Sequence, residues 1–161
     1  MNASAPGTDG SFDTVLVVDF GAQYAQLIAR RVREAHVYSE IVAPSISPDE
    51  IAARKPRGII FSGGPASVHV DGAPTIDPGV YELGVPILGI CYGAQLIAKQ
   101  LGGTVGRYEA GEYGRTAMHV TGGRLLADQP DRQQVWMSHF DCITDVPCLL
   151  YTSDAADESS S

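Results

Sequence analysis

The segment Gly89-Ile90-Cys91-Tyr92-Gly93 places a cysteine at the centre of a G-x-nucleophile-x-G pattern. A cysteine thiolate attacks carbonyl-type carbons and forms a covalent intermediate. Such a nucleophile is displayed on a tight strand-to-helix turn. The flanking glycines are needed there because a side chain at either position would clash with the neighbouring strand and helix. The N-terminus of the following helix directs N–H dipoles at the sulfur and favours the thiolate. The alternative is a buried structural cysteine beside a helix-start glycine; the paired glycines favour the nucleophile.

A tetrahedral intermediate on Cys91 needs hydrogen-bond donors for its oxyanion. Ser62-Gly63-Gly64-Pro65 offers them. The glycine pair lets backbone N–H groups point into a crevice at the carboxyl edge of a sheet, where open α/β sheets bind ligands. No Gly-Lys-Ser/Thr follows, so this is not a phosphate-binding loop. Asp19-Phe20-Gly21 invites comparison with protein kinases, but no Gly-rich loop, Val-Ala-Ile-Lys or His-Arg-Asp segment accompanies it. It reads as an ordinary strand-to-helix turn.

A thiol nucleophile also needs a base. The four histidines are His36, His69, His119 and His139. His36 precedes a strand, far from the carboxyl edge. His69 lies in a loop without a supporting acid. His119 alternates within a strand. His139 ends a strand and lines the cleft without transferring a proton. No histidine is accompanied by a glutamate that could orient it.

The elements that must position these residues follow from the hydrophobic pattern. Val15–Val18 is a short apolar run suited to a strand buried on both faces. Tyr24, Leu27, Ile28 and Val32 make the apolar stripe of a helix. Val37–Val42 reads as a second strand, and Ser47-Pro48-Asp49-Glu50 as the cap and first turn of a helix reaching about Arg54. Gly58–Phe61 is a third strand, residues 66–78 a loop, and Pro78–Leu83 a short helix. Pro86–Ile90 is a fourth strand, and Gly93–Leu101 a helix with Leu96, Ile97 and Leu101 inward. This alternation implies a doubly wound parallel sheet. Beyond Gly102-Gly103 the texture changes to four short strands, at Thr104-Val105, Thr116–Val120, Val135–Met137 and Cys142–Thr144.

The chain has 161 residues, enough for one domain. With 11 Lys+Arg and 19 Asp+Glu its net charge is −8, which argues against a nucleic-acid binder. No apolar run approaches the roughly 20 residues of a membrane helix, and the N-terminus lacks the pattern of a secretory signal. Cys91, Cys142 and Cys148 form neither a disulfide framework nor a zinc motif. The expectation is a cytoplasmic protein with free thiols and no metal ligands. Residues 1–13 read as a disordered leader and residues 14–147 as the domain. Residues 148–161 read as a non-native or disordered tail, since CLLYTSDAADE resembles a translated sequencing adapter. The two tails hold five of the nineteen acids and no Lys or Arg, leaving −3 on residues 14–147.

Taken together, Asp19–Gln26, Ser62–Pro65, Gly89–Gln95 and Val135–His139 resemble a class I glutamine amidotransferase domain. The match is to the N-terminal glutaminase branch that feeds a synthetase making GMP from XMP. The resemblance covers residues 14–147. It implies an α/β fold, a flavodoxin-like open, mainly parallel sheet with helices on both faces, incomplete at its C-terminus. It implies that Cys91 attacks the side-chain amide of L-glutamine, forms a glutamyl thioester and releases ammonia. The backbone N–H groups of Gly64 and Tyr92 would hold the oxyanion. Gly63, Gln95, Ser138, His139, Phe140 and Asp141 would bind substrate. Relatives usually have glycine where Phe140 stands.

The resemblance further implies no cofactor in this domain, with ATP and magnesium belonging to a synthetase (ATP pyrophosphatase) domain or subunit. It implies a homo-oligomeric intact enzyme with no nucleic-acid or membrane partner. The family's base and its orienter lie in a Phe-His-Pro-Glu segment beyond the residues present. The chain is therefore expected to turn over little or no glutamine, while remaining open to a glutamine-like affinity label. Two rival readings are a γ-glutamyl-cleaving cysteine hydrolase of the same fold and a non-catalytic partner that controls ammonia supply.

Overall fold

The computed structural model describes residues 12–21, 23–121 and 123–147. The proposed tail and most of the proposed leader lie outside these residues. Asp13, assigned to the leader, is described and accepts a hydrogen bond from Arg57 Nε at 2.9 Å. Two units are distinguished: Met1–Ala66 with Asp71–Ala94, and Ser67–Val70 with Gln95–Ser161.

The first unit is a parallel sheet with its connecting helices. Its strands are β1 (Thr14–Val18), β2 (Tyr38–Val42), β3 (Gly58–Phe61) and β4 (Ile87–Gly89). They pair in the order β2-β1-β3-β4, every pairing parallel. Right-handed crossovers through helices are the physical route to such a sheet. Leu16, Val17 and Val18 of the central strand β1 are fully buried, as are Ile59 and Phe61 of β3. The continuous apolar runs in the sequence are thus explained by burial on both faces.

α1 (Tyr24–Glu34) meets the sheet through a face that keeps Ile28 and the half-buried Val32 of the expected stripe but not Tyr24 and Leu27. Its buried residues are Ala25 and Ala29, packed on Val17 with Ile28 and Ile60 alongside. Tyr24 and Leu27, placed in the inward stripe by periodicity, are instead exposed. Two alanines let the helix backbone approach the sheet closely, and Ser39 Oγ donates to the Ala29 carbonyl at 2.7 Å. Large side chains at those positions would hold it off.

α2 (Pro48–Arg54) starts as the sequence predicts. Ser47 Oγ accepts from the Glu50 N–H while the Glu50 carboxylate accepts from the Ser47 N–H, a reciprocal capping box. Ser47 holds the Glu50 carboxyl below its ordinary pKa. Gly58–Phe61 matches its expected bounds, and Pro78–Leu83 is a 3-10 helix.

α3 (Tyr92–Gln100) begins in the first unit and continues into the second. Leu96 and Ile97 are buried as expected, with Ala98 and Gln95. The rest of the second unit is dominated by two long strands, β5 (Thr104–His119) and β6 (Arg132–Asp145), paired antiparallel. The four short strands expected from the sequence are therefore two. The glycines between the expected strands Thr104-Val105 and Thr116–Val120 suggest turns. They are accommodated within one strand, with register shifts between Thr104 and Val105 and between Arg107 and Glu112. His139 consequently lies inside β6, not at a strand end. No helix among the described residues is long and apolar enough to cross a membrane.

Candidate active site

Only Ile90 and Cys91 separate β4 from the start of α3. The φ of Cys91 is +50°, in the left-handed region. A non-glycine residue held there is strained, and such strain concentrates where a side chain must be displayed. The turn is pinned by Ile90 N–H donating to the Phe61 carbonyl at 3.0 Å. Gly93 N–H is directed at the Ser62 and Ile90 carbonyls, at 3.1 and 3.0 Å.

The flanking glycines are sterically required. A Cβ on Gly89 would stand 2.6 Å from the backbone nitrogen and Cα of Ala94 in α3. A Cβ on Gly93 would stand 2.5 Å from the Phe61 carbonyl oxygen in β3. One glycine makes room for the helix and the other for the neighbouring strand, as the sequence pattern anticipates.

The Ser62–Pro65 turn after β3 lies beside this elbow. A Cβ on Gly63 would contact the Cys91 Cβ at 3.6 Å, an ordinary packing distance. A Cβ on Gly64 would stand 2.7 Å from the Phe20 carbonyl oxygen, so this position too has no room for a side chain. Tyr92 opens α3 and its N–H has no partner within the helix. Among the described residues, neither Gly64 N–H nor Tyr92 N–H donates to a backbone carbonyl outside the helices and strands, whereas Gly93 N–H is committed.

The support beneath the turn comes from residues whose roles the sequence did not reveal. Phe20 and Ser62 are buried. Ser62 Oγ accepts from the Phe20 N–H at 3.0 Å and donates to the Gly63 carbonyl at 2.8 Å. Phe20 packs against Phe61 and Tyr92 with ring centroids 5.4 and 5.5 Å apart. Tyr92 Oη donates to the Pro74 carbonyl. Asp19-Phe20-Gly21 is therefore more than an ordinary turn: Asp19 Oδ1 accepts from Gly21 N–H at 2.8 Å, and Phe20 forms the floor.

Cys91 is accessible to solvent. Nevertheless the surrounding protein desolvates its sulfur and pushes the thiol pKa above its ordinary value. Burial thus opposes the thiolate that the start of α3 is expected to favour. In the first unit, His36 sits exposed at the turn entering β2, the opposite edge of the parallel sheet from Cys91. His69 is exposed in the second unit, and His119 ends β5.

The remaining expected site residues belong to the second unit. Gln95 is buried and its Nε2 donates to the Asp141 carbonyl at 2.8 Å. His139 Nδ1 lies 2.6 Å from the same carbonyl. A carbonyl only accepts, so Nδ1 carries the proton in this contact. Asp141 is buried, with its carboxylate bonded to Ser67 Oγ. Ser138 is exposed on β6 opposite Tyr113. Phe140 is a β6 residue whose side chain lies outside those described.

The family profile described as Glutamine amidotransferase class-I matches residues 16–160. The chain is 60% identical over 146 residues to the glutamine-hydrolyzing GMP synthase of Thermobifida fusca, covering 90% of this chain and 27% of that protein. It is 59% identical over 133 residues to that of Mycobacterium tuberculosis, covering 83% and 25%. The chain thus spans about a quarter of the length of these curated relatives. A crystal structure of a protein described as a GMP synthase subunit, from Thermoplasma acidophilum, superposes with a TM-score of 0.69 at 30% identity, covering 86% of this chain and 70% of that one. A glutamine amido transferase from Methylobacillus flagellatus shares the fold, with a TM-score of 0.62 at 21% identity over 86% of this chain and 59% of that one. The profile match over most of the chain, with a cysteine elbow of this geometry, shows that the chain belongs to the class I glutamine amidotransferase family.

Proposed function

We propose that this chain carries the glutaminase chemistry of a glutamine-hydrolysing GMP synthase, with Cys91 as nucleophile. The observation that carries the reading is the left-handed Cys91 turn, held between two glycines with no room for a Cβ. In the proposed reaction the Cys91 sulfur bonds to the side-chain amide carbon of L-glutamine. The thiol proton would pass to a histidine such as the one in the family's Phe-His-Pro-Glu segment, none of His36, His69, His119 and His139 being assigned that role, and the carbonyl oxygen becomes an oxyanion held by the N–H groups of Gly64 and Tyr92. Collapse breaks the C–N bond, and protonation of the nitrogen releases ammonia. Water then cleaves the thioester to glutamate and regenerates the thiol.

Gly63, Gln95, Ser138, His139, Phe140 and Asp141 are proposed to bind the substrate. The domain is proposed to span residues 14–147. The ammonia would serve a synthetase domain or subunit that aminates XMP in a homo-oligomeric enzyme. ATP and magnesium are assigned to that synthetase, and no step at Cys91 is routed through them.

The test is protection of Cys91 from alkylation by iodoacetamide. Free L-glutamine is expected to slow modification in a saturable way, while a γ-glutamyl dipeptide does not. Equal or better protection by the dipeptide would favour a γ-glutamyl-cleaving hydrolase and contradict the proposal.

A further inference from the structure

We propose that Ser67 is a positioning residue that acts through Asp141 to hold Gln95 in its binding orientation. The inference rests on the reading of Gln95 as a substrate contact. Asp141 is 5% exposed, and one carboxylate oxygen, Oδ2, accepts from Ser67 Oγ. The other, Oδ1, has no hydrogen-bond partner among the described residues. Ser67 is therefore the donor that anchors a buried carboxylate. The main-chain carbonyl of the same residue accepts from Gln95 Nε2 at 2.8 Å.

That contact settles which way the Gln95 amide faces. A carbonyl only accepts, so the amide nitrogen points at Asp141 and Oε1 points away from it. A glutamine side chain has several rotatable bonds, and fixing it before a ligand arrives removes an ordering cost from binding. The Ser67–Val70 segment groups with the residues of α3 and β6, although it interrupts the other unit in sequence. It is tied at two further points: Lys99 Nζ of α3 donates to the Val68 carbonyl, and His69 N–H donates to Ser67 Oγ at 3.2 Å. The segment thus spans from α3 at Lys99 to β6 at Asp141. Removing the Ser67 hydroxyl leaves the buried carboxylate with no donor among the described residues, and a group in that state must rearrange. Its own carbonyl, and with it Gln95, moves when it does.

The experiment follows inactivation of the 161-residue chain by a chloroketone analogue of L-glutamine. The Cys91 sulfur displaces chloride, forming an S–C bond as the C–Cl bond breaks. Saturation separates the binding constant KI from the maximal rate kinact. Ser67→Ala is expected to raise KI about tenfold with kinact changed less than about twofold. Its rate with iodoacetamide, which needs no binding contacts, is expected to stay within about twofold of the parent. Ser67→Thr restores KI because it restores the hydroxyl. In a double-mutant cycle, Ser67→Ala adds little to Asp141→Asn, as it must if Ser67 acts through Asp141.

An unchanged KI in Ser67→Ala, a fall confined to kinact, or multiplicative effects in the cycle would overturn the inference. Circular dichroism melts accompany each variant. If Ser67→Ala fails to fold, Asp141→Asn replaces it, and an unchanged KI there also overturns the inference. Labelling of the parent that neither saturates nor is blocked by glutamine would overturn the underlying reading of Gln95. Saturable labelling with an unchanged KI in the variant overturns only the role of Ser67.

Discussion

Gly93 and Phe61 are so close that a Cβ on the glycine would stand 2.5 Å from the phenylalanine carbonyl oxygen and 2.6 Å from its Cβ. The clash is with strand backbone, which cannot swing aside as the end of a side chain can. Gly93→Ala is expected to destabilise the chain by about 2–4 kcal/mol, within the range for overpacking a buried backbone contact. Gly58→Ala is the control, because a Cβ there meets only ordinary contacts at 3.8 Å and beyond. It is expected to stay within about 1 kcal/mol of the parent. Urea unfolding of both variants measures the difference, and equal midpoints would show that the elbow can relax.

Ser62→Ala removes the acceptor of the buried Phe20 N–H and the donor to the Gly63 carbonyl. An unsatisfied buried donor costs about 1–3 kcal/mol. The same change loosens the Gly63–Gly64 turn, so Cys91 labelling by a glutamine analogue is expected to slow as well. Loss of stability with labelling untouched would separate Ser62 from the site.

The pH dependence of Cys91 alkylation tests which influence controls the sulfur. Desolvation raises its pKa, so the neutral thiol predominates near neutrality. The iodoacetamide rate is expected to climb with pH, with a midpoint above that of a free cysteine. A midpoint at or below it would mean that the α3 N-terminus governs instead. The sign for stability follows from the same shift. The folded state holds this proton more tightly, so its contribution is complete below the unfolded thiol pKa and is lost as pH rises through the folded one.

Ser47→Ala removes the hydroxyl that accepts from the Glu50 N–H in the α2 capping box and leaves the residue-47 N–H that donates to the Glu50 carboxylate. A cost of about 1 kcal/mol is expected, read from thermal or denaturant unfolding. An effect below about 0.3 kcal/mol would show that tertiary contacts alone hold this helix start.

What could be read in the sequence was set by how local its cause is. Strand β3, the Pro78–Leu83 helix and the Ser47 cap follow from neighbouring residues, and their bounds agree closely. The Cys91 elbow was legible because two glycines at fixed offsets encode its steric demands. The inward face of α1 is only partly legible: Ile28 packs on the core as expected, but hydrophobicity favours Tyr24 and Leu27 where packing distance selects Ala25 and Ala29. β5 and β6 were read as fragments because glycines that suggest turns can also sit within a long irregular strand. Ser62 and Ser67 could not be found: their partners lie 42 and 74 residues away, and nothing in a lone serine marks such a bond.

The most direct test of the central claim is peptide mapping after treatment with the chloroketone analogue of L-glutamine. The expected result is one adduct, on Cys91, blocked by L-glutamine and absent from Cys91→Ser. Labelling spread across Cys91, Cys142 and Cys148 without glutamine protection would contradict the assignment of Cys91 as the glutamine-directed nucleophile.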